Sequence, residues 1–214
     1  MDLPGSATIR TRTAPPDVRR QQLIEATIVS ISQNGISNTT MTTITQLAGL
    51  SLGLVNFHFK SKEALLTATL LHLAEEHRCL WMTGVAKPKL KPALKILAIV
   101  KAQFHPQICN RKKLAVWFAF FGEAAYRKSY RSSTTCIDAE RRETLINICS
   151  EIISEGDYTA KPEEVANTLE AMFDGFWLNM LMYPDTFTGA DSASQIIAYL
   201  AHAFPFHFAK MDPQ

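Results

Sequence analysis

Very little in this sequence argues for strands or for a membrane. No stretch alternates apolar and polar residues long enough to mark a half-buried strand, while apolar residues recur at helical spacing through most of the chain. The longest unbroken apolar run, Leu114 to Phe121, spans eight residues, far short of the roughly 20 that a membrane-crossing helix needs. Met1 to Pro16 has no apolar centre of the kind a secretory leader carries, so a cytoplasmic chain is expected. The four cysteines, Cys79, Cys109, Cys136 and Cys149, form no C-x-x-C pair and have no histidine at zinc-finger spacing. Free thiols are therefore expected, with no metal and no cofactor. Charge of one sign is also scarce: 22 Lys and Arg face 20 Asp and Glu, a net of +2, which is not the balance of a strongly basic nucleic-acid binder.

What remains is a chain of 214 residues, 47% hydrophobic and 9% aromatic, long enough for one compact core or two small lobes. An all-α fold is expected. The small positive balance is unevenly placed. Residues 1 to 62 hold six basic residues (Arg10, Arg12, Arg19, Arg20, Lys60, Lys62) against three acids (Asp2, Asp17, Glu25), a local surplus of three. That direction fits a nucleic-acid-binding N-terminus.

The most informative stretch runs from Asn38 to Leu66. Met41, Ile44 and Leu47/Ala48 recur at helical spacing behind a possible Thr39 or Thr40 cap, and the pattern stops at Gly49, which tolerates the left-handed backbone of a tight turn. Ser51 then caps a second short helix with Leu52, Val55, Asn56 and His58, and Ser61 caps a longer one opening with Lys62 and Glu63. Two short helices about a small-residue turn, the second rich in outward polar groups, is how a helix-turn-helix sets a recognition helix in the major groove.

The run Ile44-x-x-x-Ala48-Gly49-Leu50-Ser51-x-Gly53-x-x-x-x-His58-Phe59-x-Ser61-Lys62-Glu63-Ala64-Leu65 resembles the DNA-binding domain of the TetR family of transcriptional repressors. With Arg19 to Gly35 as the preceding helix, the likeness covers about fifty residues. It implies an N-terminal three-helix DNA-binding domain over 17–66, after a disordered arm at 1–16, and a helical ligand-binding and dimerisation domain over 67–214. The first helix is expected from Asp17 to a C-cap at Asn34-Gly35, burying Leu23, Ile24, Thr27, Ile28 and Ile31. Its opening, Asp17-Val-Arg-Arg-Gln-Gln-Leu-Ile-Glu-Ala-Thr27, resembles the BetI branch of the family, the repressors of glycine betaine synthesis from choline.

Candidate contacts to double-stranded operator DNA are Arg19, Thr40, Thr42, Ser51, Leu52, Asn56, Phe57, His58, Lys60 and Lys62. Leu52, Asn56 and Phe57 are placed to meet base edges, since Asn pairs bidentately with adenine and an apolar side chain can touch a thymine methyl. His58 and Phe59 divide into a phosphate contact and a core plug, and Lys62 stands where the family commonly meets the DNA backbone. Most family members have Tyr where this chain has Asn56; the BetI branch has a small polar residue there. Thr45 stands where Ala is usual, and Gln46-Leu47 where cations are common. Arg10 and Arg12 could reach a minor groove, against the simpler reading of a solvated tail.

Gly49-Leu50-Ser51-Leu52-Gly53 also satisfies G-x-S-x-G, the nucleophile elbow of α/β-hydrolases. That elbow requires a strand before it and a parallel sheet around it, whereas Met41 to Ala48 has helical period. No catalytic residue is assigned.

Beyond Lys62 a long helix is expected to Met82, then a loop at Lys87–Pro92, then helices near 92–105, 111–128, 132–156, 162–183 and 191–209. Arg141-Arg142-Glu143 reads as an exposed face. Trp117 and Phe121 lie one turn apart, as do Phe173 and Trp177, with Glu123, Tyr126 and Asp174 nearby. Such stripes are usually core. Facing one cavity, they would instead cage an apolar cation, with Glu123 or Asp174 as counter-charge. Both stretches resemble the BetI branch, which implies choline as inducer and Trp117, Phe121, Glu123, Phe173, Asp174 and Trp177 as its site. Asp174-Gly175 also recurs in the family near its dimer helices. The last two helices are apolar on nearly every face, which implies a homodimer built from them. The competing readings are a TetR-type regulator of a lipophilic drug or fatty acyl ligand, a helical ligand-binding protein that never touches DNA, and the hydrolase.

Overall fold

The computed structural model describes residues 14–124 and 128–208. Arg10, Arg12 and Tyr126 lie outside the described residues. Among those described there is no strand, and no helix is long and apolar enough to cross a membrane.

The N-terminal lobe is three helices, α1 (Pro16–Asn38), α2 (Met41–Ala48) and α3 (Leu52–His58), closed by the start of α4 (Lys62–Val85). Pro16 begins α1, where a missing N–H costs nothing. Gly35 interrupts it at φ 73, ψ 169, so the expected stop is a break in the path, after which the chain stays coiled to Asn38. Leu23, Ile24, Ile28, Ile31, Ile36, Ile44, Val55, Phe59, Leu65 and Leu66 form the core of the lobe. Each such side chain contributes about 1.5–3 kcal/mol on burial. Of the expected apolar positions of α2, Ile44 is buried and Met41 and Ala48 are half-buried, while Leu47 is exposed and Thr45 faces in. A hydroxyl chain fastens α1 to the start of α2. Ser30 Oγ lies 3.0 Å from Thr39 Oγ1, which donates to the Gly35 carbonyl at 2.9 Å.

The larger lobe adds α5 (Pro92–Gln103), α6 (Arg111–Ala124), α7 (Lys128–Gly156), α8 (Pro162–Met182), α9 (Gly189–Ala203) and the short α10 (Pro205–Phe208). The helix expected at 191–209 is thus two, parted at Phe204. Helix α4 packs on α5 and α7, while α6 packs on both α1 and α8. The boundary expected at residue 66 falls inside α4, whose buried Leu65, Leu66, Leu73, Ala74 and Trp81 all belong to one continuous core. Lysine 113 of α6 pairs with Glu76 of α4, and Arg78 of α4 with Glu140 of α7. All four cysteines are free thiols; burial pushes Cys109 and Cys149 up to about 12, so neither is poised to react.

Candidate DNA-reading surface and ligand cavity

The turn between α2 and α3 is built by local chemistry. Thr40 caps α2 in a reciprocal box: Thr43 N–H donates to Thr40 Oγ1 at 3.1 Å, and Thr40 N–H to Thr43 Oγ1 at 2.9 Å. Gly49 ends α2 in the left-handed region at φ 63. Ser51 Oγ accepts from Leu54 N–H at 3.3 Å and so starts α3. G-x-S-x-G therefore sits between two helices, and the strand that a nucleophile elbow needs is not there.

Val55 fixes α3 by its full burial, which leaves Leu52, Gly53, Asn56 and Phe57 outward on one face. Phe57 is 71% exposed and Leu52 48%, an unusual surplus of apolar surface for a seven-residue helix. His58 meets the Phe57 ring edge-on at 5.2 Å and is half-buried; Phe59 is the core plug, with the Arg20 guanidinium 4.4 Å above its ring. Thr40, Thr42, Ser51 and Lys60 are exposed. Arg19 is half-buried and donates to Gln22 Oε1 at 2.9 Å. Lys62 is partly buried, and its Nζ donates to the Ile36 carbonyl at 2.9 Å, tying α4 to the end of α1.

In the larger lobe α4, α5, α6, α7 and α8 enclose a cavity of about 180 Å³. Trp117, Phe121, Asp174 and Trp177 line it. The two indoles lie 6.1 Å apart and inclined by 40°, and Phe121 stands 5.9 Å from Trp117. Trp177 is held in place by its Nε1–H donating to the Gln103 carbonyl at 2.9 Å. Two expected residues do not line the cavity. Phe173 is fully buried one turn before Trp177, with its ring edge-on to Phe104 at 6.4 Å. Glu123 lies two residues past Phe121, which rotates it well away from the Trp117–Phe121 face.

Several cavity residues were not assigned to the site from sequence: Leu70 and His77 of α4, Gln103 of α5, Phe120 of α6, and Tyr130, Thr134, Asp138 and Arg141 of α7. Arg141 is the plainest correction, because its side chain is largely buried and not part of an exposed face. Its Nε and Nη2 hold both oxygens of Glu170 at 2.9 and 2.6 Å, a bidentate geometry that satisfies both charges. Asp174 lines the cavity and is also exposed on the outer face of α8. Partial burial chiefly, and then Glu170, raise its pKa above the ordinary carboxylate value, while Arg141 opposes the rise. His77 is driven down to about 3 by burial first and by Arg141 second. For His77 and Gln103 a signal existed: polar residues standing on the apolar stripes Leu70-Leu73-Ala74-Trp81 and Ile96-Ile99-Val100.

A helix-turn-helix with an apolar and amide-bearing second helix, joined by one long helix to a helical body with an aromatic cavity, is the architecture of a DNA-binding regulator. Residues 23–69 match the family model of bacterial regulatory proteins of the tetR family, and residues 92–205 that of the BetI-type transcriptional repressor C-terminal domain. The HTH-type transcriptional regulator BetI of Paraburkholderia phymatum is 32% identical over 174 residues, covering 80% of this chain and 85% of the relative. That of Paraburkholderia xenovorans is 30% identical over 165 residues, 76% and 81% of the two chains. Among solved structures, a transcriptional regulator from Pseudomonas aeruginosa PAO1 superposes with a TM-score of 0.81 at 23% identity, over 97% of this chain and all of that one. A regulator from Saccharomonospora viridis, crystallised in complex with choline, gives 0.77 at 16% identity over 87% and 97%. The chain belongs to the TetR family of transcriptional repressors, with a C-terminal half of the BetI type.

Proposed function

We propose that this repressor binds a pseudo-palindromic operator as a homodimer and is released by a small quaternary ammonium inducer, choline, in control of glycine betaine synthesis. The observation that carries the inducer is the Trp117–Trp177 pair with Asp174 in one cavity. Desolvated indole faces attract a cation that cannot hydrogen-bond, each contributing about 1–2 kcal/mol, and Asp174 supplies the counter-charge. Arg141 offsets it only in part, because Glu170 already holds that guanidinium. A volume of about 180 Å³ is below the roughly 300–1,000 Å³ of sites for drug-sized ligands, which favours a small cation over a lipophilic drug or fatty acyl chain. The choline carried by the Saccharomonospora regulator, which shares the fold, is consistent with this.

Release follows from shared elements. Helix α4 lines the cavity through Leu70 and His77 and begins at Lys62 in the DNA-reading lobe; α6 carries Trp117 and packs on α1. A ligand that favours one setting of these helices shifts the spacing of two recognition helices in a dimer. Coupling of about 1–3 kcal/mol weakens operator binding about 5–150-fold. The test is a gel shift at fixed salt on the DNA upstream of the chain's own gene. Choline is expected to release the complex; a complex indifferent to choline would remove it as inducer.

A further inference from the structure

Two cavity side chains have no part in the cation cage. His77 and Gln103 are only 3% and 2% exposed, and both line the cavity. Burial and the Arg141 charge keep the imidazole neutral. The Gln103 side chain lies near enough to His77 to act against that lowering of its pKa, yet neither His77 Nε2 nor Gln103 Oε1 makes a hydrogen bond of ordinary geometry. Buried polar atoms are rarely left so, and where they line a cavity they point to the ligand that completes them. Both flank the cage wall: the His77 ring lies 5.7 Å from the Trp177 indole, and Trp177 donates to the Gln103 backbone.

A neutral imidazole offers one N–H and one lone pair, and an amide oxygen offers lone pairs only. The complement is a group that donates and accepts at once, which is a hydroxyl. A methyl group completes neither atom. A carboxylate has no proton for Gln103 Oε1 and would enter a cavity already lined by Asp138 and Asp174. We propose that His77 and Gln103 form a hydroxyl-recognition subsite, so that the cavity selects a quaternary ammonium alcohol over the corresponding alkyl or carboxylate compounds. This rests on the reading of the Trp117–Trp177 wall as a quaternary ammonium site.

The discriminating experiment is calorimetric titration of the full-length protein with choline, tetramethylammonium and glycine betaine, for the wild type and for Gln103→Leu and His77→Phe. The wild type is expected to bind choline at least tenfold more tightly than tetramethylammonium, and more tightly still than glycine betaine, since sites built for a hydroxyl reject analogues lacking it strongly. Gln103→Leu should bring choline down to the tetramethylammonium level while leaving tetramethylammonium within about twofold, which also reports that the variant is folded. Equal wild-type affinity for choline and tetramethylammonium overturns the subsite without touching the cage, and needs no variant. A variant that weakens both ligands alike does the same. Failure of the wild type to bind either cation overturns the cage reading itself, and the subsite with it.

Discussion

Asp174 carries the clearest residue-scale consequence. Its carboxyl faces the cavity with its pKa raised by partial burial and by Glu170, so it takes up a proton at a higher pH than an ordinary carboxylate does. Protonation removes the counter-charge. Affinity for a quaternary ammonium is therefore expected to hold above that raised pKa and to fall as pH drops through it, and Asp174→Asn should be weak and flat across the same range. Titration calorimetry carried down through the ordinary carboxylate range checks this; a wild-type affinity as flat as that of the variant over that whole range would remove Asp174 from the site. Legibility at this scale divides by distance along the chain. Trp117 with Phe121 was readable because one helix sets both, whereas the Arg141–Glu170 pair joins two helices and has no local signature. Phe173 failed because an i, i+4 relation puts two rings on one face without saying what covers each.

At the scale of elements, the caps were the most legible features, since Thr40, Gly49, Ser51 and Ser61 act through backbone groups within three residues. The long helix from Lys62 was legible as the connection out of the DNA-reading lobe; its packing partners were less so, because a helix with apolar residues on several sides does not announce them. One contact at its start bears on signalling. Tyr130, which lines the cavity, donates to Glu63 Oε2 at 3.2 Å, and Ser129 donates to Glu63 Oε1 at 3.2 Å. Glu63 stands in the first turn of α4, next to Lys62 and its bond to α1. Tyr130→Phe keeps the ring and removes the donor. It is expected to leave operator affinity without ligand within about twofold and to reduce the choline-induced weakening by about 3–10-fold, within the range of single links in a coupled network. Operator titrations with and without choline give both numbers, and undiminished coupling would exclude this route.

For the whole molecule, the outer face of α8 is the feature that a single chain leaves unexplained. Ala171, Asp174, Gly175, Leu178 and Met182 are all exposed along it, Met182 to 60%. Contiguous apolar exposure of this kind marks an association surface, and a two-fold pairing of α8 and α9 would cover it. The double variant Leu178→Lys, Met182→Lys sets like charges against each other across the axis. It is expected to sediment as a monomer and to bind operator at least tenfold more weakly, because a half-site reader loses the second groove. A dimer that survives the change would place the interface elsewhere.

Lys62 gives the DNA-reading lobe a further character. Its ammonium group closes the end of α1 by bonding the Ile36 carbonyl, and Arg20 lies over the Phe59 ring. Two of the few cations in that lobe thus work as fasteners, while Leu52, Asn56 and Phe57 stand exposed, and the proposed reading surface leans on those three. Each phosphate left without a cation spares the release of about 0.9 counterion. The repressor should accordingly hold its operator with a shallow dependence on ionic strength, staying seated when the salt around it rises and answering to the chemistry of its cavity more than to the medium.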